Sequence, residues 1–206
     1  MTDGRHPDQP HSADRGSFDR DKVAEGIRLV LEGIGEDPSR PDILRTPERV
    51  ADMYAEIFSG MSVDPVELVT VIPGAGHDEM IMVRDIPLYG VCVHHLLPFV
   101  GEAHVAYVPN RDGRITGLSK IARVVDTLSK RPQVQETLTT EIADALDAAL
   151  EPRGVFVLIE AEHLCMTMRG VKKPGSVTTT SAVRGVFRTD ARTRAEALEL
   201  VRRGPL

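Results

Sequence analysis

Apolar residues recur at helical spacing near the start of the chain, alternate at strand spacing in its middle, and return to helical spacing further on. Val23, Ile27, Val30, Leu31 and Ile34 lie three or four apart, the signature of one apolar helix face, and Gly35 follows as a stop. EDPSRPDILR then reads as a loop rich in proline and charge. Thr46-Pro47-Glu48 predicts a helix start: a capping hydroxyl, a proline at the first helical position and an acid facing the helix dipole. Val50, Met53, Tyr54, Ile57 and Phe58 form the expected buried stripe, and Ser59-Gly60 ends it. Arg49 sits in the first turn, where a cation opposes the dipole, so it is held for another purpose or is simply solvated.

From about residue 79 the pattern changes. MIMVRDIPL and GEAHVAYVP predict strands, and Asn110-Arg111-Asp112-Gly113 a turn. Residues 118–130 and 134–150 predict two helices, the second with Leu138, Ile142, Leu146 and Leu150 on one line, broken by Glu151-Pro152-Arg153-Gly154. VFVLIEAEHLCMTMR predicts a long strand, TTTSAVRGVF another and TRAEALELVRR a terminal helix. Strands, then helices, then strands indicate an α+β fold with an antiparallel sheet. The first 17 residues are polar and without periodicity, and predict a disordered tail; residues 18–60 form a helical region and 61–206 the main domain.

Composition narrows the function. With 206 residues, 41% of them hydrophobic, the chain suits one domain with an extension. A net charge of −6 disfavours general nucleic-acid binding but leaves room for a local basic pocket. Aromatics at 4%, with no Trp, weaken any base-stacking role. No apolar run reaches the length of a membrane span, and the N-terminus lacks the apolar core of a secretory signal, so the cytoplasm is the expected compartment. There, two distant cysteines more often stay thiols or bind metal than form a disulfide.

Both cysteines lie close to histidines: Cys92-Val93-His94-His95 and His163-Leu164-Cys165. Cys92, His95 and Cys165 make a three-ligand soft site with an open fourth position, the ligand count of a catalytic zinc. Cys92 and His95 would share one helical turn, leaving His94 free for proton transfer. Read as a strand, the second segment puts His163, Cys165, Thr167 and Arg169 on one face and Leu164, Met166 and Met168 on the core face. Ser119, Lys120 and Arg123 open a helix, where a hydroxyl, an N-terminus and two cations suit a phosphate. Glu136, in RPQVQE, is either an ordinary first-turn acid or a carboxylate that pairs with a guanine edge.

Six segments in order, GEDPSRPDILRTPERVADMYAEIFSG, CVHHLLPF, GLSKIARVV, RPQVQE, EAEHLCMTMRG and TTTSAVRG, resemble GTP cyclohydrolase I over residues 18 to 203. The resemblance implies a tunnelling fold, an antiparallel sheet with flanking helices, assembled as a homodecamer with active sites at subunit interfaces. It implies zinc on Cys92, His95 and Cys165; acid–base work by His94 and His163; ribose contacts from Ser119 and His94; guanine recognition by Glu136 with Gln135; and triphosphate neutralisation by Arg49, Lys120, Arg123 and Arg169. The implied reaction opens the imidazole ring of GTP, releases formate and gives 7,8-dihydroneopterin triphosphate, at the head of pterin, tetrahydrofolate and one-carbon metabolism, with no nucleic-acid or membrane partner.

The chain departs from the family pattern beside the ligands. Val93 stands where the Cys-Glu-His-His motif has Glu, Thr137 follows Gln135-Glu136 where Arg or Asn is usual, and Gly90-Val91 replaces Ser-Thr or Ser-Met. Two further readings stay open at this point. One is a paralogue that stops at the formamide or serves a deazapurine or other secondary pathway; the other is a catalytically silent nucleotide-binding subunit.

Overall fold

A computed structural model describes residues 17–74 and 76–203, so all but the last residue of the tail expected to be disordered lies outside the described residues. The chain divides into two compact units, one ending at Val63 and the other beginning at Asp64.

The first unit holds α1 (Arg20–Gly33), α2 (Thr46–Ile57) and a single 3-10 turn, Ser59–Ser62. Asp19 caps α1 by accepting from the Lys22 N–H, and Gly35 follows at a φ of 87° that favours glycine. Two expectations are corrected here. Thr46 is the first residue of α2 rather than its cap; Arg45 occupies the cap without a side-chain bond, so Pro47 carries the start signal. The apolar stripes are also less covered than their periodicity predicts. Only Pro47 and Ala51 are buried on α2 and none on α1, while Val30, Ile34 and Met53 are exposed. Packing α1 against α2 buries only part of each apolar stripe.

The second unit is built on a five-stranded sheet, β5 (Pro132–Gln133), β2 (Ile81–Cys92), β3 (Pro98–Val108), β6 (Gly154–His163) and β7 (Val177–Gly185) in that order. All pairings are antiparallel except the short β5–β2 pair. β1 (Val71–Pro73) and β4 (Arg114–Thr116) form a separate ribbon. The α+β class with an antiparallel sheet is therefore observed. Asn110 accepts from the Gly113 N–H, closing the expected turn between β3 and β4.

One face of the sheet packs against α3 (Leu118–Ser129) and α4 (Gln135–Leu150). Ala103, Val105 and Tyr107 of β3 and Val155, Val157 and Ile159 of β6 meet Ile121, Val125, Leu138, Ile142, Leu146 and Leu150 there, all fully buried. Each large side chain withdrawn from water contributes about 1.5–3 kcal/mol, so the α4 line anchors the helix that carries Gln135 and Glu136. The other face meets α6 (Val186–Thr189) and α7 (Ala191–Arg202) through Phe156, Phe187 and Ala197. In β2 a bulge between Val83 and Ile86 puts Asp85 at a φ of 55°, where its N–H donates to Nδ1 of the buried His104 at 3.2 Å. No helix among the described residues is long and apolar enough to cross a membrane.

Candidate active site

The site forms where β2, β5, β6 and the start of α4 converge. Cys92 is the last residue of β2, and the chain turns helically just beyond it. The N–H groups of His95 and Leu96 both donate to the Cys92 carbonyl, at 3.4 and 2.9 Å. Leu96 then adopts a φ of 52°, and the Cys92 N–H donates to Leu97 O at 2.9 Å, which redirects the chain into β3. The helical turn expected of Cys-x-x-His is thus present. Cys92 Sγ lies 3.8 Å from His94 Nδ1. Val93 is half exposed, and its N–H donates to Gln133 O at 3.3 Å.

The second segment departs from strand alternation. β6 stops at His163, and Leu164–Thr167 is one helical turn, α5, closed by the Met168 N–H donating to Leu164 O. His163, Cys165, Thr167 and Arg169 therefore do not share a strand face, and Met166 and Met168 are exposed rather than core. The turn achieves by another route what alternation was expected to do. Cys92, His163 and Cys165 each place a donor atom within 4.8 Å of the others. His95 is not in that group; its ring is exposed on the turn after Cys92.

His163 is held from two directions. Its ring stacks on Phe99, its direct cross-strand partner, with centroids 4.8 Å apart and planes within 13°. Its Nε2 lies 2.8 Å from Gln135 Oε1. Burial lowers its pKa from the ordinary histidine value, and the nearby Glu136 carboxylate partly opposes that, so the ring is neutral at physiological pH. The Cys165 thiol moves upward, first by burial and then by the adjacent Cys92 sulfur, with Arg169 acting the other way. Two soft thiols beside an imidazole are donors that fit a zinc ion, whose charge would reverse that penalty on the thiolates.

Gln135 is 1% exposed, and its Nε2 donates to Ile159 O, Thr178 O and Thr180 Oγ1 at 3.0–3.1 Å, so both ends of the amide are occupied. Glu136, the next residue, is exposed in the first turn of α4. Ser119 and Arg123 are exposed and Lys120 half-buried at the start of α3, whose cap position is Gly117. Arg169 is exposed just beyond α5, and Arg49 is exposed on α2 of the other unit. Phe99 and the threonines around Gln135 were not anticipated. Nothing in the local pattern marks them, because their role follows from cross-strand register.

Residues 23–202 match the family model described as GTP cyclohydrolase I. A relative named GTP cyclohydrolase 1 from Caldanaerobacter subterraneus subsp. tengcongensis is 61% identical over 184 residues, 89% of this chain and 97% of the relative. Another of the same name from Mycolicibacterium gilvum is 59% identical over 186 residues, 90% of this chain and 92% of the relative. Among solved structures, the apo form of the archaeosine synthase QueF-Like is 19% identical with a TM-score of 0.43, over 52% of this chain and 93% of that one.

Proposed function

The chain belongs to the GTP cyclohydrolase I family, and from that membership we propose that the cluster of Cys92, His163 and Cys165 marks where it opens the guanine imidazole ring of GTP. The observation that carries this reading is the convergence of two thiols and a neutral imidazole from segments about seventy residues apart, a donor set with no structural need to converge.

Cys92 and Cys165, joined by His95 from the turn after Cys92, would hold the metal, and zinc suits this set of two thiolates and an imidazole. When bound, zinc supplies a Lewis acid that yields hydroxide near neutral pH. Water adds across C8 of the guanine and the C8–N9 bond breaks, leaving a formamide on N7. A second addition breaks N7–C8 and releases formate. The ribose then rearranges, and ring closure expels one water to give 7,8-dihydroneopterin triphosphate.

His163 is neutral, so it can take a proton from the adding water and return it to a departing ring nitrogen. His94, next to the Cys92 sulfur, is the second acid–base group, and with Ser119 it would serve the ribose rearrangement. Glu136 is exposed, so its carboxylate is free to accept the paired N–H donors of a guanine edge. Lys120 and Arg123 share a face of α3 one turn apart, and with Arg169 would neutralise the triphosphate. A homo-oligomer, the decamer of the family resemblance, acting in the cytoplasm completes the reading.

The test is to incubate the zinc-loaded protein with GTP, identify products by mass and measure formate. Dihydroneopterin triphosphate with one formate per turnover is expected. A formamide end product, or unchanged GTP with zinc bound, would overturn the reading.

A further inference from the structure

Gln135 stands at the first position of α4, where a polar residue ordinarily faces solvent, yet it is as buried as the leucines behind it. Every direction of its hydrogen bonding can be worked out. Two partners of the amide nitrogen, the Ile159 and Thr178 carbonyl oxygens, can only accept. A flipped amide would press Oε1 against two carbonyl oxygens with no proton between them, leaving buried acceptors unpaired. The nitrogen is therefore the donor on that side, and Oε1 faces His163.

The surrounding hydroxyls agree. Thr139 Oγ1 donates to the Gln135 carbonyl at 2.7 Å. Its 2.6 Å contact with Thr180 Oγ1 must then be a bond that Thr180 donates, which leaves the Thr180 oxygen to accept from the Gln135 amide at 3.0 Å. The two amide protons are shared among three acceptors, and the nitrogen is the donor in each of those contacts.

An amide oxygen only accepts, so His163 Nε2 must donate to it across the 2.8 Å contact. In a neutral ring the lone pair then lies on Nδ1. Phe99 fixes the plane of the same ring by stacking, and Gln135 fixes its rotation within that plane. We propose that Gln135 is a positioning residue for the ring-opening reaction, holding His163 as the Nε2–H tautomer with its lone pair on Nδ1, and that it does not read the guanine. The inference rests on the proposed function for its reaction but on hydrogen-bond directions for its assignment.

The experiment uses the zinc-loaded enzyme, as wild type, Gln135→Met, His163→Ala and the double variant, with steady-state and single-turnover GTP kinetics. Methionine fills the volume of the glutamine without the amide. Gln135→Met should lower kcat by about 10- to 100-fold, the usual effect of removing an outer partner of an active-site histidine. KM for GTP should stay within about threefold, because no substrate contact is lost. In the His163→Ala background the same change should have no further effect, since its target is gone. In histidine-15N-labelled wild type, the His163 signals, assigned by their loss in His163→Ala, should show a protonated Nε2 and a bare Nδ1. In Gln135→Met the two tautomers should mix.

A KM rise of about tenfold with kcat unchanged would mean Gln135 touches substrate, and would overturn the proposal. So would an undiminished loss of kcat in the His163→Ala background, which marks a purely structural role. A wild-type proton on Nδ1 overturns it without any variant, and so decides the matter even if Gln135→Met does not fold. Wild-type enzyme that leaves GTP untouched would instead remove the proposed function, while the tautomer measurement would still stand or fall alone.

Discussion

Gly90→Ala is a one-carbon test of how the sheet supports the site. Gly90 lies directly across the β2–β3 ladder from Phe99, whose ring covers it. A Cβ there would fall 2.2 Å from Phe99 Cζ and 2.6 and 2.7 Å from the two Cε atoms. Ordinary carbon–carbon contact needs about 3.5 Å, so the ring would have to retreat by about 1.3 Å. Phe99 is fully buried and stacked on His163, so that displacement passes to the imidazole. Overpacking of this kind costs about 1–3 kcal/mol. For a chain of this length each kcal/mol lowers the thermal midpoint by about 2–4 °C. Misplacing a reacting group by about 1 Å can cost about 100-fold in rate, so kcat should fall by about 10- to 100-fold. The assays are thermal unfolding at fixed protein concentration and GTP turnover. Phe99→Leu shortens the offending ring, so the double variant should recover part of both losses and show strong coupling in a double-mutant cycle. The reasoning would be refuted if Gly90→Ala matched the parent in midpoint and turnover, or if its effect simply added to that of Phe99→Leu.

Two further outcomes follow from the site and the core. Cys165→Ser and His95→Ala should each strip zinc while leaving the assembly intact, whereas His163→Ala should keep zinc and lose turnover; metal analysis showing zinc lost from His163→Ala and kept by His95→Ala would exchange their assignments. Asp147 on α4 has its carboxyl pKa raised by burial, with Asp144 adding and Arg184 opposing. A raised folded-state pKa contributes stability below the unfolded value of about 3.9 and loses it as pH rises through the folded value, so the charged form burdens the fold at neutral pH. Asp147→Asn should therefore raise the unfolding midpoint at pH 7 and leave it unchanged at pH 3; a lower midpoint at pH 7 would contradict the sign.

Much of the second unit was legible because its signals are local. The α4 line of Leu138, Ile142, Leu146 and Leu150 repeats at helical spacing and is fully buried as read. The turn at Asn110–Gly113 and the helical turn after Cys92 also stand where their residues predict them. The misreadings arise where a local rule met a non-local decision. Alternation was carried past His163 into a segment that coils, because period two cannot announce where a strand stops. The family resemblance places Gln135 only beside Glu136, and the neighbouring strands alone supply the acceptors that draw it inward. The two-residue strand β5 pairs in parallel with β2 and has no sequence signature of its own.

The ladder that sets Phe99 against His163 also fixes when the site can come into existence. β3 and β6 are neighbours in space, but the whole of β4, α3, β5 and α4 separates them along the chain. Pairings across so long a segment bear a loop-closure cost before any contact rewards it, and they dominate slow folding. On the ribosome, β2 and β3 can zip into a hairpin early, presenting Cys92 without Cys165 or His163. Until Cys165 has been synthesised and β6 has docked, a nascent chain holds a lone thiol at a hairpin tip. The thiol cluster is therefore completed only by a strongly non-local step of folding, and recovered activity should require completion of the sheet and not helix content alone.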